Sequence, residues 1–564
     1  MVETRIYNSL TPIYCDKEPA GICSDEFTMC ANQQLSFQLA YKITDGAESE
    51  KDFYVRVESD IPVSNYYINN VPVPHTAKDD ADFSAGMYPD ILLPKKTNPK
   101  ICEYIYFGRK IYLEQDENVR LRAYDDSWQG LWFVVNENSK VLSGGAYKIK
   151  LELVSKRNEV IACRNITVNV IPEKLPAQKL IYTNWFHNDC LADFYGVPVF
   201  SERYFEIFAD FVKKASLNGM NMILLPAFTP PLDTPVGGER MTVQLVDVVK
   251  KGKKYEYDFS LMKRYIDICR KNGITHFEHS HFFSQWGAEA APKVMATVNG
   301  RKKRIFGWDT KADSPAYTSF LTQYITELKK FLKAEKLEKK ILFHISDEPQ
   351  DEHIPSYSRA RNSIIGQLEG YTVGDALSHY EIYEKGLCTT PIVSTASIKD
   401  FIGKVDDLWA YYVGGTFLDG AVSNRVFRVS RERNRMLGVQ MYYYDIKGFL
   451  HWGYNNYYGE LSKYMFNPAM NPCGGFPLAG TSYSVYPAFD GTCYQSVRQK
   501  VFAEGICDMR LLCLLEKLTS RSKCRKFIEK HFGVPSFDKA PDSAEAYTNF
   551  INDLYAEIKK AASK

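Results

Sequence analysis

The hydrophobic pattern of the chain changes period near Lys179, and this change divides the chain into two kinds of structure. Before that point, segments such as LSFQLAYKI (35–43) and YKIKLELVS (147–155) alternate apolar and polar residues. This alternation is typical of strands with one buried face. Turn-forming residues separate the segments, which predicts a β-sandwich domain over residues 1–175. The segment VIPEKLPAQ (170–178) carries two prolines and is expected to be a linker.

After Lys179, short apolar runs alternate with amphipathic segments of helical length. Parallel strands joined by crossover helices give this pattern. The amphipathic segments predict helices at about 202–218, 260–272, 316–335, 353–386, 422–437 and 496–517. Eight strands fit a (β/α)8 TIM-like barrel, which we expect over residues 179–518, and a short charged helical segment is expected at 519–564. The last two candidate strands lie unusually close together, so a doubly wound sheet is the alternative. The candidate strands start near residues 180, 221, 274, 341, 391, 408, 439 and 448.

Charge and composition argue against several functional classes. The 564 residues include 70 Lys and Arg against 68 Asp and Glu, a balance that is unlike that of a nucleic-acid or polybasic membrane binder. No run of about 18 apolar residues occurs, and no signal-peptide pattern is visible at the start, so we expect no membrane span. The 13 cysteines show no metal or disulfide spacing, which favours reduced thiols in a cytoplasmic protein.

The predicted barrel strands have apolar bodies but end in polar and aromatic residues. Barrel enzymes build their sites at the C-terminal ends of the strands. Polar groups crowded there are unfavourable unless a ligand or water satisfies them. We therefore expect a functional cleft at this end of the barrel. Its candidate binding residues are Trp185, His187, His279, His344, Tyr411, Tyr412, Tyr443, Trp452 and Asn455.

Two adjacent carboxyl residues, Asp347 and Glu348, follow the fourth candidate strand in the segment HISDEP (344–349). Neighbouring carboxylates repel each other, so we expect the pKa of one of them to rise toward neutrality. A raised pKa is how a general acid stays protonated near pH 7. The alternative is a solvated turn in which Asp347 caps the next helix.

Three histidines, His276, His279 and His281, raise the alternative of a zinc site. Because His279 and His281 are two residues apart, we expect them to share one face of a strand. No HExxH motif occurs and a third ligand at matching spacing is not evident. Phosphate-cradling glycine loops are also absent. The sequence therefore predicts no metal and no cofactor, and hydrogen bonding to a ligand or core packing for these histidines.

Several blocks of the chain resemble glycoside hydrolase family 123, the β-N-acetylgalactosaminidases. The blocks are in order and spread over most of the chain. The resemblance implies a β-sandwich followed by a (β/α)8 barrel, in agreement with the change of period. The blocks are MYPDILLP (87–94), the later SWQGLWFVVNENSKVLSGGAYKIKLEL, FHISDEP (343–349), GFLHWGYNN (448–456), and SVYPAFDG with the following SVRQKVFAEGICDMRLLCLLE (484–516).

The resemblance also implies a reaction: release of terminal β-linked N-acetylgalactosamine from glycans or glycosphingolipids with retention of configuration. The 2-acetamido group of the substrate would be the nucleophile and would form an oxazoline intermediate, a recognised exception to the scheme of two protein carboxylates. Glu348 would be the acid and then the base, and Asp347 would hold the acetamido N–H. A tyrosine would orient the acetamido carbonyl, tryptophans would form the pocket wall, and His and Asn side chains would bind hydroxyl groups.

Three alternatives remain open at this point. One is a noncatalytic carbohydrate-binding protein on the same scaffold, which would bind sugar without turnover. Another is a β-N-acetylhexosaminidase that prefers the other epimer at C4, since one or two hydroxyl contacts decide that preference. The third is a zinc-dependent hydrolase that uses the histidines, which exhaustive chelation would inactivate.

Overall fold

The structure is a computed structural model, and the residues that it describes are 2–44, 52–75, 84–94, 103–106, 109–112, 121–155, 157–412 and 423–563. Strands dominate the described residues before the linker, as the alternating pattern predicts. They are β1 (Val2–Asn8), β2 (Glu26–Cys30), β3 (Leu35–Ile43), β4 (Asp52–Ser59), β5 (Val63–Val73), β6 (Gly86–Pro94), β7 (Glu103–Tyr106), β8 (Arg109–Tyr112), β9 (Leu121–Arg122), β10 (Gln129–Val135), β11 (Gly145–Ser155) and β12 (Val160–Ile171).

Ten of these strands belong to two packed sheets, which confirms the expected sandwich, and β7 and β8 pair with each other in a separate two-stranded sheet. Phe37 of β3 pairs in register with Phe133 of β10, and their rings stack with centroids 5.0 Å apart. Leu151 of β11 and Ile166 of β12, which belong to the other sheet, are fully buried in the same core. The apolar positions of each alternating segment therefore face the opposite sheet.

After the linker, parallel strands close into a barrel of eight, as expected. The strands follow each other in chain order, and the last pairs with the first from Ile181 beside Gly448 to Asn184 beside His451. Among the described residues the barrel strands are β13 (Ile181–Asn184), β14 (Met222–Leu225), β17 (His276–His279), β20 (Ile341–Phe343), β21 (Thr372–Leu377), β22 (Thr390–Ser394), β23 (Trp409–Tyr411) and β24 (Gly448–His451).

Two of the predicted elements are wrong, and the errors cancel in the strand count. The candidate strand starting near 439 belongs to a helix, Arg431–Tyr443. This helix is buried on most sides, so its apolar run lacks the one-sided period that marks an exposed helix. The fifth strand, β21, lies in the range 353–386, which the sequence predicts to be helical. Its segment TVGDAL carries Gly374 and a buried Asp375 where an apolar run is expected.

The helices predicted at 202–218, 260–272, 316–335 and 496–517 lie close to their predicted positions, whereas the sequence analysis did not predict the helix at Asn188–Tyr195. The helix predicted from Glu202 begins after Ser201, whose hydroxyl oxygen accepts the N–H of Tyr204 as an N-cap. The described helices are α1 (Asn188–Tyr195), α2 (Glu202–Leu217), α3 (Ser260–Lys271), α4 (Pro315–Ala334), α5 (Ile354–Asn362), α6 (Tyr380–Glu384), α7 (Arg431–Tyr443), α8 (Val497–Leu518), α9 (Arg521–Phe532) and α10 (Ala544–Ala562).

Long loops after the barrel strands add further sheet structure. The loops after β14 and β17 form a four-stranded sheet of β15 (Asp247–Lys251), β16 (Lys254–Asp258), β18 (Val294–Val298) and β19 (Arg301–Phe306). The loop after β24 contributes β25 (Tyr486–Pro487) and β26 (Cys493–Ser496), and β26 pairs with β6 of the sandwich. One sandwich sheet thus has the order β1-β3-β10-β5-β6-β26-β25, and the other β2-β12-β11-β4-β9.

The C-terminal helices α9 and α10 pack against α7 and α8, and their apolar cluster extends to Leu10, Cys30 and Trp132 of the N-terminal part. This confirms the helical C-terminal segment. No helix in the described part of the chain has the length and apolar character that crossing a membrane requires.

Candidate active site

The adjacent carboxyl residues lie immediately beyond the end of barrel strand β20. Asp347 and Glu348 are both half-buried, and Pro349 follows them. Glu348 has a φ of 44°, in the left-handed region that few residues other than glycine adopt. Backbone strain of this kind is concentrated at functional sites, where the surrounding structure holds a side chain in a required direction.

Glu348 is contacted by a tyrosine from another barrel strand. Tyr411, at the end of β23, donates its hydroxyl hydrogen to Glu348 Oε1 at 2.5 Å. Burial, and then the charge of Glu348, raise the pKa of Tyr411 well above its usual value. Tyr411 is therefore a phenol, and thus a hydrogen-bond donor, at neutral pH.

Asp347 carries the raised carboxyl pKa of the pair. Burial, and then the neighbouring charge of Glu348, raise the pKa of Asp347 well above its usual value. The direction agrees with the expectation that one of two adjacent carboxyls is raised. The backbone carbonyl of Asp347 accepts the N–H of Trp286 at 2.9 Å, so the loop after β17 lies beside the pair.

A buried carboxylate that the sequence analysis did not single out lies on the inner face of the barrel. Glu278 of β17 accepts hydrogen bonds from the hydroxyl of Thr183, from Nε1–H of Trp185 at 2.9 Å, and from Nε2 of His344 at 3.1 Å. Trp185 and His344 are fully buried with it. These two candidate residues therefore bind a protein carboxylate in the barrel interior.

His344 has a second carboxylate neighbour. Its Nδ1 lies 3.4 Å from Asp375 Oδ1 on β21. Asp375 in turn accepts the N–H of Ile345 at 2.9 Å and the hydroxyl of Tyr357 at 2.6 Å. Burial alone would lower the pKa of His344, but the contacts with Asp375 and Glu278 prevail and raise it to about 9.

His187, Trp452 and Asn455 join the loop after β13 to the loop after β24. Nε2 of His187 bonds to the carbonyl of Trp452 at 2.9 Å, and the Asn455 amide pairs with the backbone N–H and carbonyl of His187. Burial, and then the charge of Arg240, lower the pKa of His187 to about 4. Asn455 is fully buried, whereas the ring of Trp452 is half-buried and packs against Phe476.

The structure does not bring three of the candidate residues to this cluster. His279 bonds through Nε2 to the hydroxyl of Tyr324 on α4 at 2.8 Å. Tyr412 packs on Phe449 in the core outside the barrel. Tyr443 is on α7 and donates to a carboxylate of α9, Glu529. For His279 and Tyr412 the cause is strand alternation: their neighbours Glu278 and Tyr411 point inward, so they point outward.

The expectation that His279 and His281 share a strand face is wrong, because β17 ends at His279 and the chain changes direction there. The ring of His281 stacks on His344 with centroids 4.6 Å apart and meets the edge of Trp185 at 5.2 Å. His281 is buried, and both of its ring nitrogens lack a hydrogen-bond partner. The histidines therefore do not converge on a common metal position.

One other group of metal-ligand residue types clusters within the described residues: His187, Asp189 and Cys190, whose ligand atoms lie within 4.8 Å of one another. A cation already occupies the group. Arg240 donates to Asp189 Oδ2 at 2.7 Å and lies 3.4 Å from Nδ1 of His187. The Cys190 thiol bonds to Asn456. The group is thus a buried ion pair with its hydrogen bonds rather than a metal centre.

Comparison with known proteins agrees with this architecture. Residues 185–515 match the family model described as "Glycoside hydrolase 123, catalytic domain". No curated protein matches the chain. Among solved structures, a family 123 glycoside hydrolase from Clostridium perfringens, whose structural analysis concerned glycolipid glycan hydrolysis, has a TM-score of 0.71 at 12% identity over 100% of this chain and 98% of that chain.

Two other solved structures are much less similar to this chain. A putative β-galactosidase from Bacteroides fragilis has a TM-score of 0.30 at 7% identity, over 90% of this chain and 85% of its own. A Parabacteroides merdae β-glucuronidase has a TM-score of 0.29 at 9% identity, over 90% and 52%. Neither similarity is high enough to indicate a common fold. The family model, in contrast, spans more than half of the chain and includes the carboxyl pair, so the chain belongs to glycoside hydrolase family 123.

Proposed function

We propose that this chain is a retaining, exo-acting β-N-acetylgalactosaminidase that removes terminal β-linked N-acetylgalactosamine from glycans or glycosphingolipids. Membership of family 123 supports hydrolysis of a glycosidic bond. The observation that favours this chemistry most is the pair of half-buried, adjacent carboxyls at the C-terminal end of β20, with Tyr411 on one of them. Two side-by-side carboxyls serve one face of a sugar, so the opposite face needs a nucleophile from elsewhere, and the 2-acetamido group of the substrate supplies it.

In the first step, Glu348 as an acid donates its proton to the glycosidic oxygen. The acetamido carbonyl oxygen attacks the anomeric carbon, the bond from that carbon to the leaving oxygen breaks, and an oxazolinium ring forms. Asp347, in its ionised form, accepts a hydrogen bond from the acetamido N–H and stabilises the positive charge that develops on the group. That positive charge in turn favours the ionised form of Asp347 against the raised pKa that it has in the free protein. No cofactor is needed, because every bond change involves the substrate, water and this carboxyl pair.

In the second step, Glu348, now a carboxylate, takes a proton from water. The water oxygen attacks the anomeric carbon from the face that the leaving group vacated, and the ring carbon–oxygen bond breaks to restore the acetamido group. Two inversions give net retention. Of the three candidate tyrosines, Tyr411 is the one that contacts the pair, so we assign it the role of orienting Glu348 and the acetamido carbonyl.

Aromatic walls for the sugar come from two loops. Trp452 presents a half-buried ring after β24, and Trp286, which the sequence analysis did not single out, presents a ring that is 41% exposed in the loop beside Asp347. Half-exposed aromatic faces of this kind suit stacking on the apolar face of a pyranose. The fully buried Trp185 is a support for Glu278 rather than a stacking surface.

A panel of aryl β-glycosides tests the proposal. The panel comprises N-acetylgalactosamine, N-acetylglucosamine, galactose and glucose derivatives of one phenol. We expect the N-acetylgalactosaminide to be hydrolysed fastest and the two sugars without an acetamido group to be inert. Equal turnover of the galactoside would contradict neighbouring-group catalysis, and sugar binding with no turnover of any derivative would indicate a binding protein instead.

A further inference from the structure

Three buried ionisable residues lie in a row across the barrel wall, and one of them, His344, comes shortly before the carboxyl pair in the chain. Glu278 of β17, His344 after β20 and Asp375 of β21 are each 0% exposed. The Nε2 atom of His344 is 3.1 Å from Glu278 Oε2, and Nδ1 is 3.4 Å from Asp375 Oδ1. The imidazole thus lies between two carboxylates, three residues before Asp347. The row spans three neighbouring barrel strands.

The hydrogen bonds around the row define its charge state. Glu278 accepts from Thr183 and Trp185, and Asp375 accepts from the Ile345 N–H and the Tyr357 hydroxyl. The Trp185 indole N–H and the Ile345 amide N–H can only donate, so each carboxyl accepts at least one hydrogen bond. Nε2 of His344 is hydrogen-bonded to Glu278, whereas Nδ1 lies 3.4 Å from Asp375 Oδ1 and makes no hydrogen bond to a described residue. Two carboxyls this close to the ring favour an imidazole that carries hydrogen on both nitrogens.

We propose that Glu278, His344 and Asp375 form a buried charged clamp in which His344, protonated through neutral pH, is a positioning residue for Asp347 and Glu348. The clamp ties the carboxyl pair to β21, because Asp375 holds the N–H of Ile345 two residues before Asp347. It also supplies a fixed positive charge close to the pair. The catalytic consequence rests on the function proposed above, whereas the charge state of His344 does not.

Among the described residues that face His344, the other charged groups are carboxyls, so His344 would be the one cation there. The segment through β17 contributes Glu278 and His281, β21 contributes Asp375, β23 contributes Tyr411 next to Glu348, and its own segment carries Asp347 and Glu348. His281 stacks on His344, and burial, followed by the charge of His344, keeps its pKa well below the usual value. His281 therefore remains neutral. A nearby positive charge favours the ionised form of a carboxyl, so His344 keeps the proton affinity of the pair from rising further.

Nitrogen-15 NMR of histidine tests the charge state in the intact wild-type protein. The chain has 10 histidines, and a titration from pH 5 to 9 on selectively labelled protein resolves their protonation. We expect one imidazolium to persist at pH 8 and to be absent from the His344→Gln variant. If that variant does not fold, Glu278→Gln and Asp375→Asn are each expected to lower the pKa of the same signal. The clamp is wrong if every histidine of the wild-type protein is neutral at pH 8, or if none of these substitutions moves the persistent signal.

The pH dependence of kcat/KM tests the effect on the pair. Loss of the cation should raise the pKa of Asp347, so His344→Gln should move the profile toward alkaline pH by about one unit or more. Tyr357→Phe is the matched control: it removes a neutral hydrogen bond to Asp375 and no charge, so its profile should stay in place. A fall in kcat with an unshifted profile in His344→Gln would overturn the positioning role. If the wild-type protein hydrolysed no glycoside, the proposed function would fail, and the NMR titration would still decide on the clamp.

Discussion

At the residue scale, adjacency is the property that matters in Asp347 and Glu348. In the mechanism proposed here the two carboxyls have different roles. Glu348 protonates the leaving oxygen, and Asp347 accepts a hydrogen bond from the acetamido N–H. Sequence analysis identified the pair because two adjacent acidic residues end an apolar candidate strand, among other candidate strands that end in polar and aromatic residues. It missed Glu278, Asp375 and Trp286, since a single acidic residue or tryptophan in a strand or loop carries no signal until its partners are known.

Replacement of Glu348 by Gln should show whether Glu348 is the acid that protonates the leaving oxygen in the first step. Gln keeps the side-chain size but has no proton to donate, so kcat/KM for glycosides of poorly acidic phenols should fall by about 10²–10⁴-fold. For glycosides whose leaving group departs without protonation, such as dinitrophenyl derivatives, kcat/KM should fall much less. Steady-state kinetics over a series of phenols measures this, and an equal loss across the series would contradict the assignment of Glu348 as the acid.

The neighbouring tyrosines provide a matched pair of variants. Tyr411→Phe removes the hydroxyl that contacts Glu348 and should lower kcat about 10- to 100-fold, the effect of one hydrogen bond to a charged group. Tyr412→Phe removes a buried hydroxyl that has no hydrogen-bond partner within the described part of the chain, so kcat should not change. Kinetics on both purified variants checks this, and similar losses in the two would show that Tyr411 has no special role.

At the element scale, the period of the sequence was a good guide wherever an element has one solvated face. The helices predicted at 202–218 and 260–272 agree with α2 and α3 to within one residue at each end. Prediction failed where burial is complete: α7 resembled a strand, and β21 resembled part of a helix. In both segments tertiary packing, rather than a repeating apolar position, decides the structure.

The contact between helices α7 and α8 makes an element-scale prediction. A Cβ on Gly438 of α7 would lie 1.7 Å from the backbone carbonyl oxygen of Gly505 on α8. Gly→Ala in a helix ordinarily stabilises by about 1 kcal/mol, but here the helices would have to separate, at about 1–3 kcal/mol for an overpacked contact. We therefore expect Gly438→Ala to lower the free energy of unfolding in urea.

Gly366→Ala is the control for that experiment, because a Cβ there meets nothing within 4 Å and the backbone is not left-handed. Its free energy of unfolding should stay within about 0.5 kcal/mol of wild type, as for surface substitutions in general. An increase in stability in Gly438→Ala would show that the two helices are not in close contact.

At the scale of the whole molecule, the division into residues 1–175, 179–518 and 519–564 remains a proposal, and the contacts across it are extensive. Asn8 bonds to Thr548, and Gln33 bonds to Tyr555 of α10. Tyr547 of α10 donates to Asp508 of α8. Polar and apolar contacts thus join the first strands, the last barrel helix and the C-terminal helices.

We therefore expect the chain to unfold as one unit, with a single calorimetric transition. Removal of residues 519–564 should expose the apolar cluster that Tyr547, Phe550 and Leu554 share with α8, and should lower Tm by several degrees or cause aggregation. Calorimetry of the full and shortened chains measures this. A shortened chain with an unchanged Tm would show that the segment is an independent appendage.

The central claim is that the substrate carries its own nucleophile, and substitution on the acetamido group tests it most directly. Aryl β-N-acetylgalactosaminides with mono-, di- and trifluoroacetyl groups have progressively weaker carbonyl nucleophiles but nearly the same size. We predict that kcat/KM falls steeply along the series, by orders of magnitude from acetyl to trifluoroacetyl. Rates that do not depend on the fluorine content would contradict the account.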